Sequence, residues 1–285
     1  MIYLRSFRLN IPGDAPEISA GQYVQIQDRT RLQTGEHPFN LPLVRSMPEM
    51  KLDSPVTIFV GENGTGKSTI LEALAVAAES IAVGGCDVGY DPTLGPARSL
   101  AQNMKLVWNF RTRKGFFMRT EDFFNFSRRL AETKAEMLDE MQAVDRDYVG
   151  RSDYAKVLAK GSYSKSVSAI ERKYHGDLEE RSHGESLLTL FRARFVPGGL
   201  YLLDEPESAL SPLSQLAFVA MVKEMVGRDC QFIIATHSPI IMAVPEASIL
   251  SFDSIPPEKC EFDDLEHVKL FRAFMRDPGR FMQHL

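Results

Sequence analysis

The stretch Gly61-Glu62-Asn63-Gly64-Thr65-Gly66-Lys67-Ser68 carries the strongest chemical signal in the chain. It fits the spacing G-x-x-x-x-G-K-[ST] in full. Glycines let the backbone curl so that successive N–H groups point inward, and a helix starting there turns its positive end toward the same anion. In such a cradle Asn63, Gly64, Thr65 and Gly66 face the phosphates of a nucleotide. Lys67 reaches the β- and γ-phosphates, the Ser68 hydroxyl ligates Mg²⁺, and Thr69 adds a contact to the α-phosphate. The bland alternative is an accidental glycine turn. The apolar run before it and the helix-forming run after it supply the context a phosphate loop needs.

A second signal is the pair Asp204-Glu205, which ends the apolar run Leu200–Leu203. Carboxylates at the end of a buried strand are costly unless a cation or protons compensate. Mg²⁺ beside the phosphates is such a cation. Asp204 then holds the metal through its water shell, and Glu205 orients and deprotonates an attacking water. The same stretch also suits a helix N-cap, a reading that loses weight next to a phosphate loop. A third signal is His237, in Thr236-His237-Ser238-Pro239, directly after the apolar run Gln231–Ala235. The carboxyl end of a parallel strand is the ligand-binding edge of such sheets. There His237 can bond the γ-phosphate and the attacking water. His37, His175, His267 and His284 lack comparable context.

The elements that must position these residues alternate between apolar strands and helices. Val56–Val60 reads as a strand, Ser68–Glu79 as a helix, Ser186–Phe195 as a helix, Pro212–Val226 as a helix ended by Gly227, and Ala247–Phe252 as a further strand. That alternation predicts an α/β fold, with a mostly parallel sheet covered by helices on both faces. Residues 1–11 read as an early strand. Residues 12–50 hold five prolines and read largely as loop. Met104–Phe110 and Gly115–Arg119 look like strands flanking a turn. Residues 120–180 are charged and helical, with Arg128–Met141 amphipathic. Heptads sustained over several repeats are missing, so a long coiled-coil arm is not expected.

The 285 residues and net charge of −5 describe an ordinary globular chain without the basic balance of a generic nucleic-acid binder. Length and pattern predict one domain over 1–285, with residues 80–180 as a partly helical insertion. Cys86, Cys230 and Cys260 are too few and too far apart for a disulfide framework, which favours a reducing, cytoplasmic setting. The N-terminus does not read as a signal peptide, and the apolar runs fall well short of the ~20 residues of a membrane span.

The ordered set GENGTGKST, RSHGES (Arg181–Ser186), LLDEP, SALS (Ser208–Ser211) and THSP resembles the ABC-type P-loop ATPases. THSP and GENGTGKST look closer to the RecF, SMC and OLD-like branch than to transporter subunits. The resemblance covers Val56–Leu74 and Arg181–Pro239. It implies an ABC-type head that binds ATP and Mg²⁺ and closes as a head-to-tail homodimer. In the family a Ser-Gly-Gly-Gln stretch caps the γ-phosphate of the partner subunit, and Ser182, Gly184 and Glu185 align with it. His183 stands for a glycine and Glu185 for the glutamine. Ser182-x-x-Glu185 is equally a capping box, and the two roles are compatible. The family's metal-touching glutamine has two candidate positions, Gln102 and the stretch Arg119-Thr120-Glu121. The branch likeness implies DNA as partner, with repair or defence against foreign DNA as the setting. A transporter's cytosolic subunit and a slow switch acting on a protein effector are the rivals.

Overall fold

The computed structural model describes residues 1–10, 37–83, 88, 91–174 and 183–283, with the side chains of Pro92 and His183 excepted. Ser182, Cys86, His175 and His284 therefore lie outside the described residues. Elements are numbered in chain order.

The chain opens with β1 (Leu4–Leu9), followed by the short helix α1 (Pro42–Ser46) and β2 (Met50–Lys51). Then come β3 (Val56–Val60), α2 (Lys67–Ala77), α3 (Gly95–Ala101), β4 (Met104–Trp108) and β5 (Gly115–Arg119). Two long helices follow, α4 (Thr120–Asp147) and α5 (Asp153–Tyr174), then α6 (His183–Arg194) and β6 (Leu200–Asp204). The last part holds α7 (Pro212–Val226), β7 (Gln231–Ala235), α8 (Pro239–Met242), β8 (Ser248–Ser251), β9 (Glu258–Cys260), α9 (Glu266–Arg276) and α10 (Pro278–Met282).

The main sheet has the order β5-β6-β7-β3-β8-β9, parallel except for β9 at one edge. Its central strands β3, β6 and β7 are buried at every position, which is why they read as unbroken apolar runs. The pleat sorts their side chains. Val56, Ile58, Val60, Tyr201, Leu203, Phe232 and Ile234 face one core with Leu187, Phe191, Phe218 and Val222 of α6 and α7. Phe59, Leu202, Ile233 and Ala235 face the other, with Ile70, Leu71 and Leu74 of α2. Both faces are thus covered, as the alternation predicted. The second face also carries a small antiparallel sheet, β2-β1-β4.

Gln231 joins the two sheets. It is fully buried on β7, its amide oxygen accepts from the N–H groups of Tyr3 and Leu4, and its amide nitrogen donates to the Leu4 carbonyl at 2.9 Å. The strands read on either side of Thr112–Gly115 separate rather than pair. β4 joins β1 in the small sheet, while β5 joins β6 in the main one. The stretch read as an insertion therefore lends strands to both sheets before its helical part starts at Thr120. α4 has 28 residues, about 42 Å of helix at 1.5 Å per residue, and pairs with α5. Its buried residues are Phe123 and Ser127, near its base.

One alignment across the main sheet decides the geometry of the site. Arg119 pairs with Asp204, Asp204 with Ala235, Ala235 with Phe59, and Phe59 with Leu250. The chain leaves five neighbouring strands at nearly the same level.

Candidate active site

The loop after β3 wraps the start of α2. Gly66 is the N-cap of α2, with φ +95. An added Cβ there would lie 2.7 Å from Leu43 Cδ2, so both conformation and space require glycine. Having no side chain, Gly66 cannot cap the helix, and the first amides of α2 are left for a ligand. The loop is held from outside by Asp253, just beyond β8, whose Oδ1 accepts from the Glu62 N–H at 2.8 Å. The Thr65 hydroxyl donates to the Glu62 carbonyl at 2.9 Å. Lys67 is buried, and its Nζ donates to the carbonyls of Gly61 at 2.7 Å and Glu62 at 2.8 Å. Burial holds its pKa below the ordinary lysine value, against the pull of Glu205 and Asp204. The ammonium thus sits folded on its own loop, beside the cleft a triphosphate would enter.

Asn63, Gly64, Gly66, Lys67, Ser68, Thr69 and Glu205 line that cleft, with His37 and Leu41. Thr65 faces its own loop. Asp204 lies just behind, where the Ser68 hydroxyl donates to its Oδ1 at 3.2 Å. Burial pushes the Asp204 carboxyl up to about 7. A buried acid whose charge is this poorly compensated fits a site that takes a cation, and a hydroxyl with a carboxylate oxygen suits Mg²⁺. Among the described residues no cluster of three His, Cys, Asp or Glu side chains could hold a metal by itself. That suits an ion brought in with a nucleotide's phosphates.

Glu205 has φ +47, a left-handed conformation uncommon outside glycine. Its N–H bonds the Ala235 carbonyl at 2.9 Å, and its own carbonyl accepts from the Thr120 hydroxyl at 2.7 Å. Strain of this kind clusters at active sites, and here the kinked residue is one whose side chain reaches the cleft. His237 follows β7. Its Nε2 is 3.7 Å from Glu205 Oε1, beyond hydrogen-bond length, and is buried without a hydrogen-bond partner among the described residues. Burial, then Lys67, hold its pKa below the ordinary histidine value, so the ring is neutral at neutral pH.

Of the two glutamine-role candidates, Gln102 ends α3 just before β4 of the small sheet. The stretch from Arg119 leaves the main sheet beside Asp204. Arg119 itself is engaged by Glu72, Asp91 and Asp122. Gly184 packs on the turn after Glu205, where an added Cβ would lie 3.1 Å from the Ala209 carbonyl. Neither Gly184 nor Glu185 is among the residues lining the cleft of its own chain.

Sequence reading missed Asp253, Glu207 and His37. Asp253 was detectable as an acid just past a parallel strand. Glu207 lay in view within Asp-Glu-Pro-Glu, and its role depends on contact with a distant loop.

Two family models match the chain. One, described as "AAA domain", matches residues 41–80. The other, described as "AAA domain, putative AbiEii toxin, Type IV TA system", matches residues 186–243. Between them they take in the phosphate loop, the acid pair and His237. Both matches support the reading of the chain as an ABC-type P-loop ATPase. The chain is also similar to the thiamine import ATP-binding protein ThiQ of Vibrio cholerae. They are 26% identical over 192 residues, 65% of this chain and 69% of that protein. Fainter structural likenesses, from which nothing is carried over, are to an Smc head domain of Pyrococcus furiosus and a nucleotide-free cassette of an ABC transporter. The first has TM-score 0.40 and 13% identity, covering 80% of this chain and 94% of that one. The second has TM-score 0.41 and 14% identity, covering 81% and 88%. Among the described residues no helix is long and apolar enough to cross a membrane.

Proposed function

We propose that this ATPase is a dimerising switch in which two chains close head to tail on two molecules of ATP with Mg²⁺. The observation that carries the proposal is that Lys67, Ser68 and Glu205 line one cleft with Asp204 and His237 beside them, while Gly184 and Glu185 of the same chain are not among the described residues lining it. The chain's own residues have distinct tasks. Loop amides and Lys67 grip the phosphates, Lys67 exchanging the Gly61 and Glu62 carbonyls for phosphate oxygens. Ser68 and Asp204 hold Mg²⁺, which when bound neutralises the charge between the β- and γ-phosphates. Glu205 takes the proton of the attacking water, and neutral His237 fixes that water and the γ-phosphate. The resemblance assigns Ser182, Gly184 and Glu185 to the γ-phosphate of the second copy.

Glu205→Gln keeps the water site but removes the base. It should bind ATP and accumulate as a dimer, while Lys67→Ala should lose ATP binding. A Glu205→Gln chain that elutes only as monomer with ATP refutes the sandwich.

For the partner we favour DNA, in repair or in defence against foreign DNA, on the likeness of GENGTGKST and THSP to the RecF, SMC and OLD-like branch. The description of the model matching residues 186–243 also favours a defence setting. The likeness to ThiQ supports the rival reading, a transporter's ATPase subunit. Stimulation of hydrolysis by DNA supports the first. Copurification with membranes supports the second, and negligible turnover with tight ATP binding supports a slow switch on a protein effector.

A further inference from the structure

We propose that Glu207 is a positioning residue that sets His237 against Glu205. The inference rests on the hydrolytic reading above and assigns a role within it to a residue outside the cleft. Glu207 lies in the 3-10 turn Pro206–Ala209, directly after the kinked Glu205. Its Oε1 accepts from the His237 N–H at 2.6 Å, joining the loop that carries the base to the loop that carries the histidine. Its Oε2 is buried with no hydrogen-bond partner among the described residues. Burial pushes this carboxyl above its ordinary range, against the pull of the His237 amide and the Thr236 hydroxyl. A carboxyl is expensive to keep in such a place, and the bond to His237 is what it secures there.

The geometry explains why a clamp is needed. His237 Nε2 has no hydrogen-bond partner to orient the ring, so the ring goes where its backbone puts it. The Glu205 N–H bond to Ala235 fixes the base of the two loops. Thr236 is still held by the sheet, its N–H donating to the Phe59 carbonyl, but two residues beyond Ala235 the His237 N–H is held by Glu207 instead. Glu207 is thereby the link that fixes the 3.7 Å separation of Glu205 and His237, and with it the placing of the ring against the base. Ser238 is anchored separately, its hydroxyl donating to Gln215 Oε1 at 2.5 Å, so the loop is pinned on both sides of the ring.

The test compares Glu207→Met and Glu207→Ala, which lack the acceptor, with Glu207→Gln, which keeps an oxygen at the same reach. Turnover, equilibrium binding of an ATP analogue and hydrogen exchange of the His237 amide are measured on the full chain. Misplacing a catalytic group by about 1 Å costs up to ~100-fold in rate, so Met and Ala should lower kcat roughly 10- to 100-fold. Analogue affinity should stay within about twofold and exchange of the His237 amide should speed up, because the phosphate grip is untouched while the clamp is gone. Glu207→Gln should stay near the parent in all three. Combining Glu207→Met with His237→Ala should be no worse than His237→Ala alone. The proposal falls if Met and Ala keep full turnover, if Gln is as poor as Met, if the double variant is additive, or if neither acceptor-free variant folds. A parent chain that binds ATP without hydrolysing it refutes the hydrolytic reading instead, and the amide exchange then decides on the clamp alone.

Discussion

Replacing Asp204 by Asn should be close to neutral for stability in acid and increasingly stabilising as pH rises, provided nucleotide and Mg²⁺ are absent. In the folded chain burial raises the carboxyl to about 7, from its ordinary 3.8. Its folded pKa is raised, so the folded state binds the proton more tightly than the unfolded chain does. The corresponding stability is fully present below about pH 4 and is lost as pH rises through about 7. A rise of that size corresponds to about 4 kcal/mol lost by the parent between those limits. Asn keeps an oxygen to accept from Ser68 and carries no charge at any pH. The variant should therefore come close to the parent at or below about pH 4, where the carboxyl is largely protonated in both states, exceed it increasingly up to about pH 7, and keep a constant lead above that. The measurement is urea denaturation of both proteins at half-unit steps from pH 4 to 8, with chelator present. Groups common to both proteins cancel in the difference. A difference that stays constant over that range refutes the claim that Asp204 is buried without adequate compensation. The same reasoning predicts that binding nucleotide with Mg²⁺ below pH 7 releases about one proton, read by calorimetry in two buffers.

Gln231→Leu fills the same space but leaves two N–H groups and one carbonyl of residues 3 and 4 buried and unpaired, so it should cost roughly 3–6 kcal/mol in denaturant unfolding. Gly66→Ala forces a Cβ toward Leu43 in a left-handed conformation, and should weaken ATP binding at least about tenfold while lowering stability by about 1–3 kcal/mol. Arg119→Met strands the carboxylates of Glu72, Asp91 and Asp122 around a vacated cation site, and should cost about 3 kcal/mol at neutral pH, the loss shrinking in acid as those carboxyls protonate.

How much of this was legible beforehand depended on distance along the chain. β3, β7 and α7 appear where unbroken apolar runs bracketed by glycine and proline put them, with Gly227 ending α7. Phosphate loop, acid pair and histidine are each encoded within a few consecutive residues, so their types and order were readable. Pairing was not. β4 finds its partner in β1, nearly a hundred residues earlier, and no local pattern distinguishes that from a hairpin with β5. The helical pair α4 and α5 was only partly visible, because few of its residues are buried and an exposed helix leaves little periodic trace. The supports of the site were hidden by distance along the chain. Asp253 reaches the phosphate loop across 191 residues, and Gln231 reaches the first strand across 227.

Strand register explains why residues picked out by local reading lie together. With Arg119, Asp204, Ala235, Phe59 and Leu250 aligned, the chain emerges from all five strands at one edge and at one height. Thr120 then meets Glu205, Glu207 meets His237, and Asp253 meets Glu62, each pair formed by residues one to three places beyond the aligned line. Slipping β6 by one residue against β7 would carry Asp204 to the opposite face and take Leu203 and Tyr201 out of the core they share with Phe232 and Ile234. The apolar side chains of the two faces therefore enforce the register, and the register places the polar ends. The acids, the histidine and the phosphate loop need no long-range instruction of their own, because the core that folds the sheet has already brought them to the same cleft.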